Sequence, residues 1–186
     1  MDIEEVGGSL WVHLLNTRRI KDGKTIDVLE DLDRMSDWLT FYQIEMSADK
    51  EEQRKSLLIL RDILIRLVDN FSTNAPLPEL NEFLQSKPTY WNIDLQEGQL
   101  VRSMKAVNPA YNGLITIIQD FFDTIDTFDL QRVRQCAHGE CILYFLDSSK
   151  GGRRRWCDME KCGNKHKASK HYQKVKAKRG ARDENQ

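Results

Sequence analysis

The chain has 186 residues, of which 40% are hydrophobic, and a formal net charge of −1. That length and apolar content support a domain-sized core and exclude wholesale disorder. No apolar run approaches the ~20 residues needed to cross a bilayer, and the acidic start, Met1-Asp2-Ile3-Glu4-Glu5, lacks the positive charge of a secretory signal, so a cytoplasmic protein with no membrane partner is expected.

Ser9 to Thr17 (SLWVHLLNT) predicts one or two helical turns in the core, with His13 a core residue. Asp22-Gly23 marks a turn. From Asp31 to Ile44, the residues Leu32, Met35, Trp38, Leu39 and Tyr42 recur at helical spacing. Ser47 is the expected N-cap of a long amphipathic helix from Ala48 to about Phe71, with Leu57, Leu60, Leu64, Leu67, Val68 and Phe71 as its stripe. Pro76 and Pro78 end it, and Pro78 to Ser86 predicts a short helix. Tyr90 to Leu95 and Gln99 to Met104 flank Gln96-Glu97-Gly98 as a hairpin. Asn108-Pro109 then opens a helix to about Asp126, with Leu114, Ile117, Ile118, Phe121, Phe122 and Ile125 buried. Asp120, Asp123, Asp126 and Asp129 line its solvent face.

Charge changes sign along the chain. Residues 131–186 carry a net charge of +9 and residues 1–130 a net of −10, which points to two parts with different partners. All four cysteines lie in the basic part. Cys136, Cys141, Cys157 and Cys162 read C-x4-C, fifteen residues, C-x4-C, the paired spacing of a tetrahedral zinc site. Reduced cytosolic thiols favour metal over disulfides, and thiolate softness favours Zn2+. A closed four-thiolate shell leaves no open position for a catalytic water, so a structural site is expected. Between the pairs, Ile142 to Leu146 predicts a strand, Ser148 to Gly152 a turn, and Arg153 to Trp156 the return strand. Gly163 is expected to permit a backbone reversal after Cys162. A segment this small needs its metal to fold, and loss of the metal is expected to unfold residues 131–180.

A helix is expected from about Asn164 to Arg179, with Ala168, Tyr172 and Val175 packed on the zinc hairpin. Lys167, Lys170, His171, Lys174 and Lys178 fall on another face, and lysines arranged this way fit a phosphate backbone. Arg153, Arg154 and Arg155 add forked donors suited to phosphate or guanine edges. A purely structural role for the arginines, neutralising a negatively charged metal–thiolate centre, competes with that reading. His138 and His166 lie near the cysteines, but four paired thiols make histidine ligation unnecessary. No Ser/His/Asp arrangement, P-loop or dinucleotide fingerprint is present, so an enzyme is not expected.

The run Arg153-Arg154-Arg155-Trp156-Cys157-Asp158-Met159-Glu160-Lys161-Cys162-Gly163-Asn164-Lys165-His166-Lys167 resembles the signature of CGNR zinc finger proteins. Arg134-Gln135-Cys136-Ala137 and Leu143-Tyr144-Phe145-Leu146-Asp147-Ser148-Ser149 are similar to the same family. Leu14-Leu15-Asn16-Thr17, followed by a turn and Asp27 to Leu39, resembles the start of its helical ABATE domain. The resemblance implies a bacterial, stress-induced transcription regulator whose finger binds DNA, with Cys136, Cys141, Cys157 and Cys162 as metal ligands. Lys165 stands where the motif has its last arginine, which keeps the charge and loses the planar fork.

The expected fold is mainly α. A helical N-terminal domain with a small β-hairpin spans residues 1–130, a zinc-bound β-hairpin–helix module spans 131–180, and 181–186 form a disordered tail. The expected function is DNA binding through Arg153, Arg154, Arg155, Lys165, Lys167, Lys170, Lys174 and Lys178. RNA or single-strand binding, with Tyr144, Phe145, Trp156 and Tyr172 as stacking surfaces, is the alternative, as is a protein-interaction module with a purely structural zinc. A small-molecule or protein ligand for the helical domain and a homodimer remain open at this level.

Overall fold

A computed structural model describes residues 6–71, 76–170 and 172–173. The chain is mainly helical with small hairpins, as the hydrophobic periodicity predicts. Its helices are α1 (Leu10–Leu15), α2 (Leu32–Phe41), α3 (Lys50–Asn70), α4 (Leu77–Gln85) and α5 (Asn112–Thr127). Three two-stranded antiparallel sheets accompany them: β1 (Arg18–Lys21) with β2 (Lys24–Asp27), β3 (Thr89–Gln96) with β4 (Gln99–Ala106), and β5 (Val133–Gln135) with β6 (Tyr144–Leu146). No described helix is long and apolar enough to cross a membrane.

The core forms around α1. Trp11, Val12, Leu14 and Leu15 are buried, and they meet Leu57, Leu60 and Leu64 of α3 and Leu114, Ile117, Ile118 and Phe121 of α5 in one cluster. Trp11 packs edge-on against Phe121, with ring centroids 5.2 Å apart, the arrangement favoured by the aromatic quadrupoles. Asp120 reaches from α5 to the start of α1, where its carboxylate accepts the Ser9 hydroxyl at 2.6 Å and the Trp11 N–H at 2.9 Å. Asp120 is therefore a cap for a neighbouring helix, in contrast to the solvated position expected for it. Ile125, expected in the core, is exposed, while its neighbour Thr124 turns to the core and meets Ser9.

The cap of α3 also differs from expectation. α3 is capped by Asp49, which accepts the Glu52 N–H at 3.0 Å, and not by Ser47. Gln53 holds Ser47 back, accepting its N–H at 2.9 Å while donating to the Glu45 carbonyl at 2.9 Å. The Asp22-Gly23 turn joins the hairpin β1–β2, which polar strands (RRIK and KTID) hide from a periodicity search. Both turn residues have positive φ, 51° and 73°, the mirror-image turn whose twist suits a hairpin.

At the end of β2, Asp27 makes a buried bidentate pair with Arg61 of α3, both bonds at 2.7 Å. Arg61 also donates to the Thr17 hydroxyl at 2.7 Å. Burial alone would raise the Asp27 pKa. The Arg61 hydrogen bonds and charge and the Leu29 N–H outweigh that, and hold it below the usual carboxylate value.

The strands of the basic part belong to the same core. Val133, Tyr144 and Leu146 lie in the cluster that contains Trp11 and Leu57. Asn16, buried at the end of α1, pairs with β6 as another strand would. Its amide donates to the Tyr144 carbonyl at 2.9 Å and its oxygen accepts the Tyr144 N–H at 2.7 Å. The Tyr144 hydroxyl donates to Asp69 of α3 at 3.1 Å, and Leu146 N–H donates to the Gly7 carbonyl at 2.9 Å. The cysteine module is thus fastened to α1 and α3.

Candidate metal centre

Two backbone knuckles present the four thiols. Cys136 follows β5 directly and continues its ladder, donating its N–H to the Leu143 carbonyl at 2.8 Å. Cys141 N–H closes a tight turn onto the His138 carbonyl at 2.9 Å. The second knuckle is a π-helical turn, Met159–Gly163. Asp158 caps it, its carboxylate accepting the Glu160 and Lys161 N–H groups at 2.7 and 3.0 Å. The Cys162 N–H returns to the Asp158 carbonyl at 3.0 Å.

The four Sγ atoms all lie within 4.8 Å of one another. Cys141 and Cys162 each stand 3.6 Å from Cys157. A tetrahedral zinc with ~2.3 Å bonds to sulfur sets its ligands about 3.8 Å apart, whereas a disulfide needs about 2.0 Å. The cluster therefore has the size of a metal shell. The Cys141 thiol is lowered to about 5, first by hydrogen bonding from Cys157. Cys157 is pushed up, first by that same bond and then by burial, and burial raises Cys162 to about 12. The charge on Cys141 opposes ionisation of Cys157 and Cys162, and a divalent ion would remove that opposition.

The surroundings are apolar on one side. Phe145 is fully buried, and with Leu143 it packs against Cys136, Cys157, Trp156 and Val6. The Cys157 N–H donates to the Cys136 sulfur at 3.4 Å. On the other side, Ile20, Asp22 and Gly23 of the first hairpin line a groove of about 570 Å³ together with Cys141 and Cys162. Gly163 lies within the π turn and not at the backbone reversal expected of it, and a side chain there would have to displace Met159. A Cβ there would lie 2.5 Å from the Met159 sulfur and 3.0 Å from Trp156.

The segment 152–156 is not a return strand, and β6 pairs with β5 instead. Asp147 explains this. It is fully buried, and its carboxylate takes the Arg154 N–H at 2.8 Å, removing that donor from any ladder. The other oxygen accepts the Ser149 N–H at 3.1 Å and the Ser149 hydroxyl at 2.5 Å. Burial would raise the Asp147 pKa, but these hydrogen bonds and the Arg134 guanidinium hold it below the ordinary value. Arg132 and Arg134 brace the same loop through the Ser149 and Gly152 carbonyls, at 2.7 and 3.0 Å. Spacing alone did not single out Asp147, Arg132, Arg134 or Asn16. Asn16, Arg134 and Asp147 lie in the runs that resemble the family, which assigned them no role.

The arginine run divides by role. Arg154 is exposed, but its guanidinium is held, donating to the Trp156 carbonyl at 2.8 Å and to the Cys157 carbonyl and lying 4.7 Å over the Phe145 ring. It is a brace of the metal knuckle. Arg153 and Arg155 are exposed, and Arg155 lies 5.0 Å over Trp156. Residues 164–170 continue the π turn as α-helix, with Lys165, Lys167 and Lys170 exposed. Among the described residues, none of Arg153, Arg155, Lys165, Lys167 and Lys170 forms an ion pair. Lys174 and Lys178, His171, Val175 and the tail 181–186 lie outside the described residues.

The helix does not dock through Ala168 and Tyr172, which are both exposed. It is held by its first turn, where His166 packs on Trp156 at 4.6 Å. Of the expected stacking surfaces, Tyr144 and Phe145 are buried, Trp156 lies between Arg155 and His166, and Tyr172 alone is open. Neither His138 nor His166 belongs to the ligand cluster.

Residues 132–175 match the model of the CGNR zinc finger family. The match spans all four thiols, which are placed to hold a metal ion as in a zinc finger. No curated protein matches the chain.

Proposed function

We propose that residues from 132 onward form a zinc-held module that binds duplex DNA, and that the chain is a transcription regulator. The observation that carries this reading is the split of the cations around the metal. All of them are exposed, but the Arg154 guanidinium is taken up by two knuckle carbonyls, while Arg153, Arg155, Lys165, Lys167 and Lys170 form no ion pair among the described residues. Cations needed only to neutralise the thiolates would be turned toward them. Five exposed cations on one small module fit a phosphate backbone, which supplies affinity without base recognition.

Duplex is favoured over single strand because binding of unpaired bases relies on stacking platforms, and Tyr144 and Phe145 are buried. Four thiolates from Cys136, Cys141, Cys157 and Cys162 would complete the shell of a bound zinc, which would support the fold and leave no site for a reacting water. The test is a competition binding assay on the zinc-loaded chain with duplex DNA, single-stranded DNA and structured RNA. Duplex should bind most tightly, and reversing Lys165, Lys167 and Lys170 to Glu should weaken it at least tenfold. Preference for RNA or single strand would transfer the function to those partners. Equal binding by the charge-reversed chain would end the proposal.

A further inference from the structure

Neither histidine beside the thiols belongs to the metal cluster, yet both line one groove. It has a volume of about 480 Å³, and Glu140, Lys165 and Ser169 share its wall. His138 and His166 are half-buried there, whereas the other three are exposed. Among the described residues, the four thiols are the one set of three or more His, Cys, Asp and Glu side chains placed to share an ion. The two imidazoles are therefore not a second metal site.

Positive charge and N–H donors gather at this groove. His166 packs on Trp156 at 4.6 Å, and the Arg155 guanidinium lies over the same indole at 5.0 Å. Burial, and then the charges of Lys170, Arg155 and His138, hold the His166 imidazole below its ordinary pKa. These three groups are therefore close enough to oppose a further positive charge. Among the described residues, none of Arg155, Lys165 and Lys170 forms an ion pair, and Glu140 is the one acid in the groove wall. His138 is oriented by its own turn. Its Nδ1 accepts the Glu140 N–H at 3.3 Å, so in the neutral ring Nε2 carries the proton and donates. The Lys165 ammonium and the Ser169 hydroxyl add further donors.

We infer that this groove seats one phosphate group, which in the working protein belongs to a DNA strand. The inference rests on the duplex-binding reading and adds His138, His166 and Ser169 to its contacts. Donors reach the groove from two sides, the turn at 138–140 and the helix at 165–169. A tetrahedral phosphate turns oxygens toward both sides at once, whereas a carboxylate presents its two acceptors in a single plane. The phosphate charge also offsets the crowding of Arg155, Lys165 and Lys170. The Glu140 carboxylate opposes it, which makes that residue a probe of the site.

Side-chain 1H–15N NMR on the full zinc-loaded chain tests this, since the sequence holds four histidines. At fixed pH and ionic strength, duplex DNA should shift the His138 and His166 ring signals and leave His13, stacked on Tyr42, unmoved. Millimolar inorganic phosphate should shift the same two. Ser169→Glu, at an exposed position, should remove these shifts and weaken duplex binding about tenfold with stoichiometric zinc retained. Glu140→Gln should tighten duplex binding about threefold, which a damaged fold would not do. Shifts with phosphate but no duplex binding would keep the site and end the duplex reading. Duplex binding that leaves both imidazoles unmoved, or that is unaltered by Ser169→Glu, overturns the inference and leaves the duplex reading standing. Shifts with neither ligand overturn it as well.

Discussion

Replacing Asn16 by Ala should loosen the metal module from the helical core without touching a single ligand. The Asn16 side chain satisfies both backbone groups of Tyr144, at 2.7 and 2.9 Å, in a buried setting. Truncation leaves a buried N–H and a buried C=O unpaired, each at about 1–3 kcal/mol. A loss of about 3 kcal/mol follows, which lowers Tm by about 6–12 °C in a chain of this length. The helical signal and zinc release should be followed together in urea. Because Val133, Tyr144 and Leu146 share the core with Trp11 and Leu57, the midpoints of both signals should fall, while the folded variant keeps stoichiometric zinc. A loss under about 0.5 kcal/mol, the size of a surface substitution, would refute the bridging role. So would a shift in zinc release alone with the helical transition unmoved.

The arginine run should separate in the same assays. Arg154→Ala should weaken zinc retention and stability, whereas Arg153→Ala should lower DNA affinity and leave stability within about 0.5 kcal/mol, because only Arg154 is bonded to the knuckle. Reversed effects would reassign both residues. Asp27→Ala should cost about 3–5 kcal/mol at neutral pH by leaving Arg61 buried and unpaired. The folded pKa of Asp27 is depressed, so its contribution is present above the unfolded value of about 4 and is lost as pH falls through the folded one. The gap between wild type and variant in urea titrations should therefore narrow below about pH 4, and a constant gap would contradict the ion pair. Gly113→Ala should prevent folding or cost more than about 3 kcal/mol, because its Cβ would lie 2.1 Å from the Glu45 carbonyl oxygen, and a soluble variant of normal Tm would contradict that packing.

The features legible in the sequence were those written by local spacing. The α3 and α5 stripes, the β3–β4 hairpin and the paired cysteines each repeat at a period that backbone geometry imposes. What escaped depends on contacts between residues far apart in the chain. Asn16 meets Tyr144, and Asp120 meets Ser9, across more than 100 residues. Asp147 decides the path of 148–154 because it is buried, and burial of a lone Asp between apolar residues and serines has no period to announce it. The arginines at 153–155 are identical in type, and only what each guanidinium meets separates a brace from a contact. Polar strands such as β1 and β2 escape for a related reason: their stability comes from the turn and the neighbouring elements, not from an alternating face.

The most direct test of the zinc-held DNA platform is the salt dependence of duplex affinity, measured on one sample before and after metal removal. If Arg153, Arg155, Lys165, Lys167 and Lys170 displace counterions, the slope of log K against log salt should fall between about −3 and −5, and chelation should abolish binding. No binding at low salt, a slope shallower than about −1, or unchanged binding after chelation would contradict it.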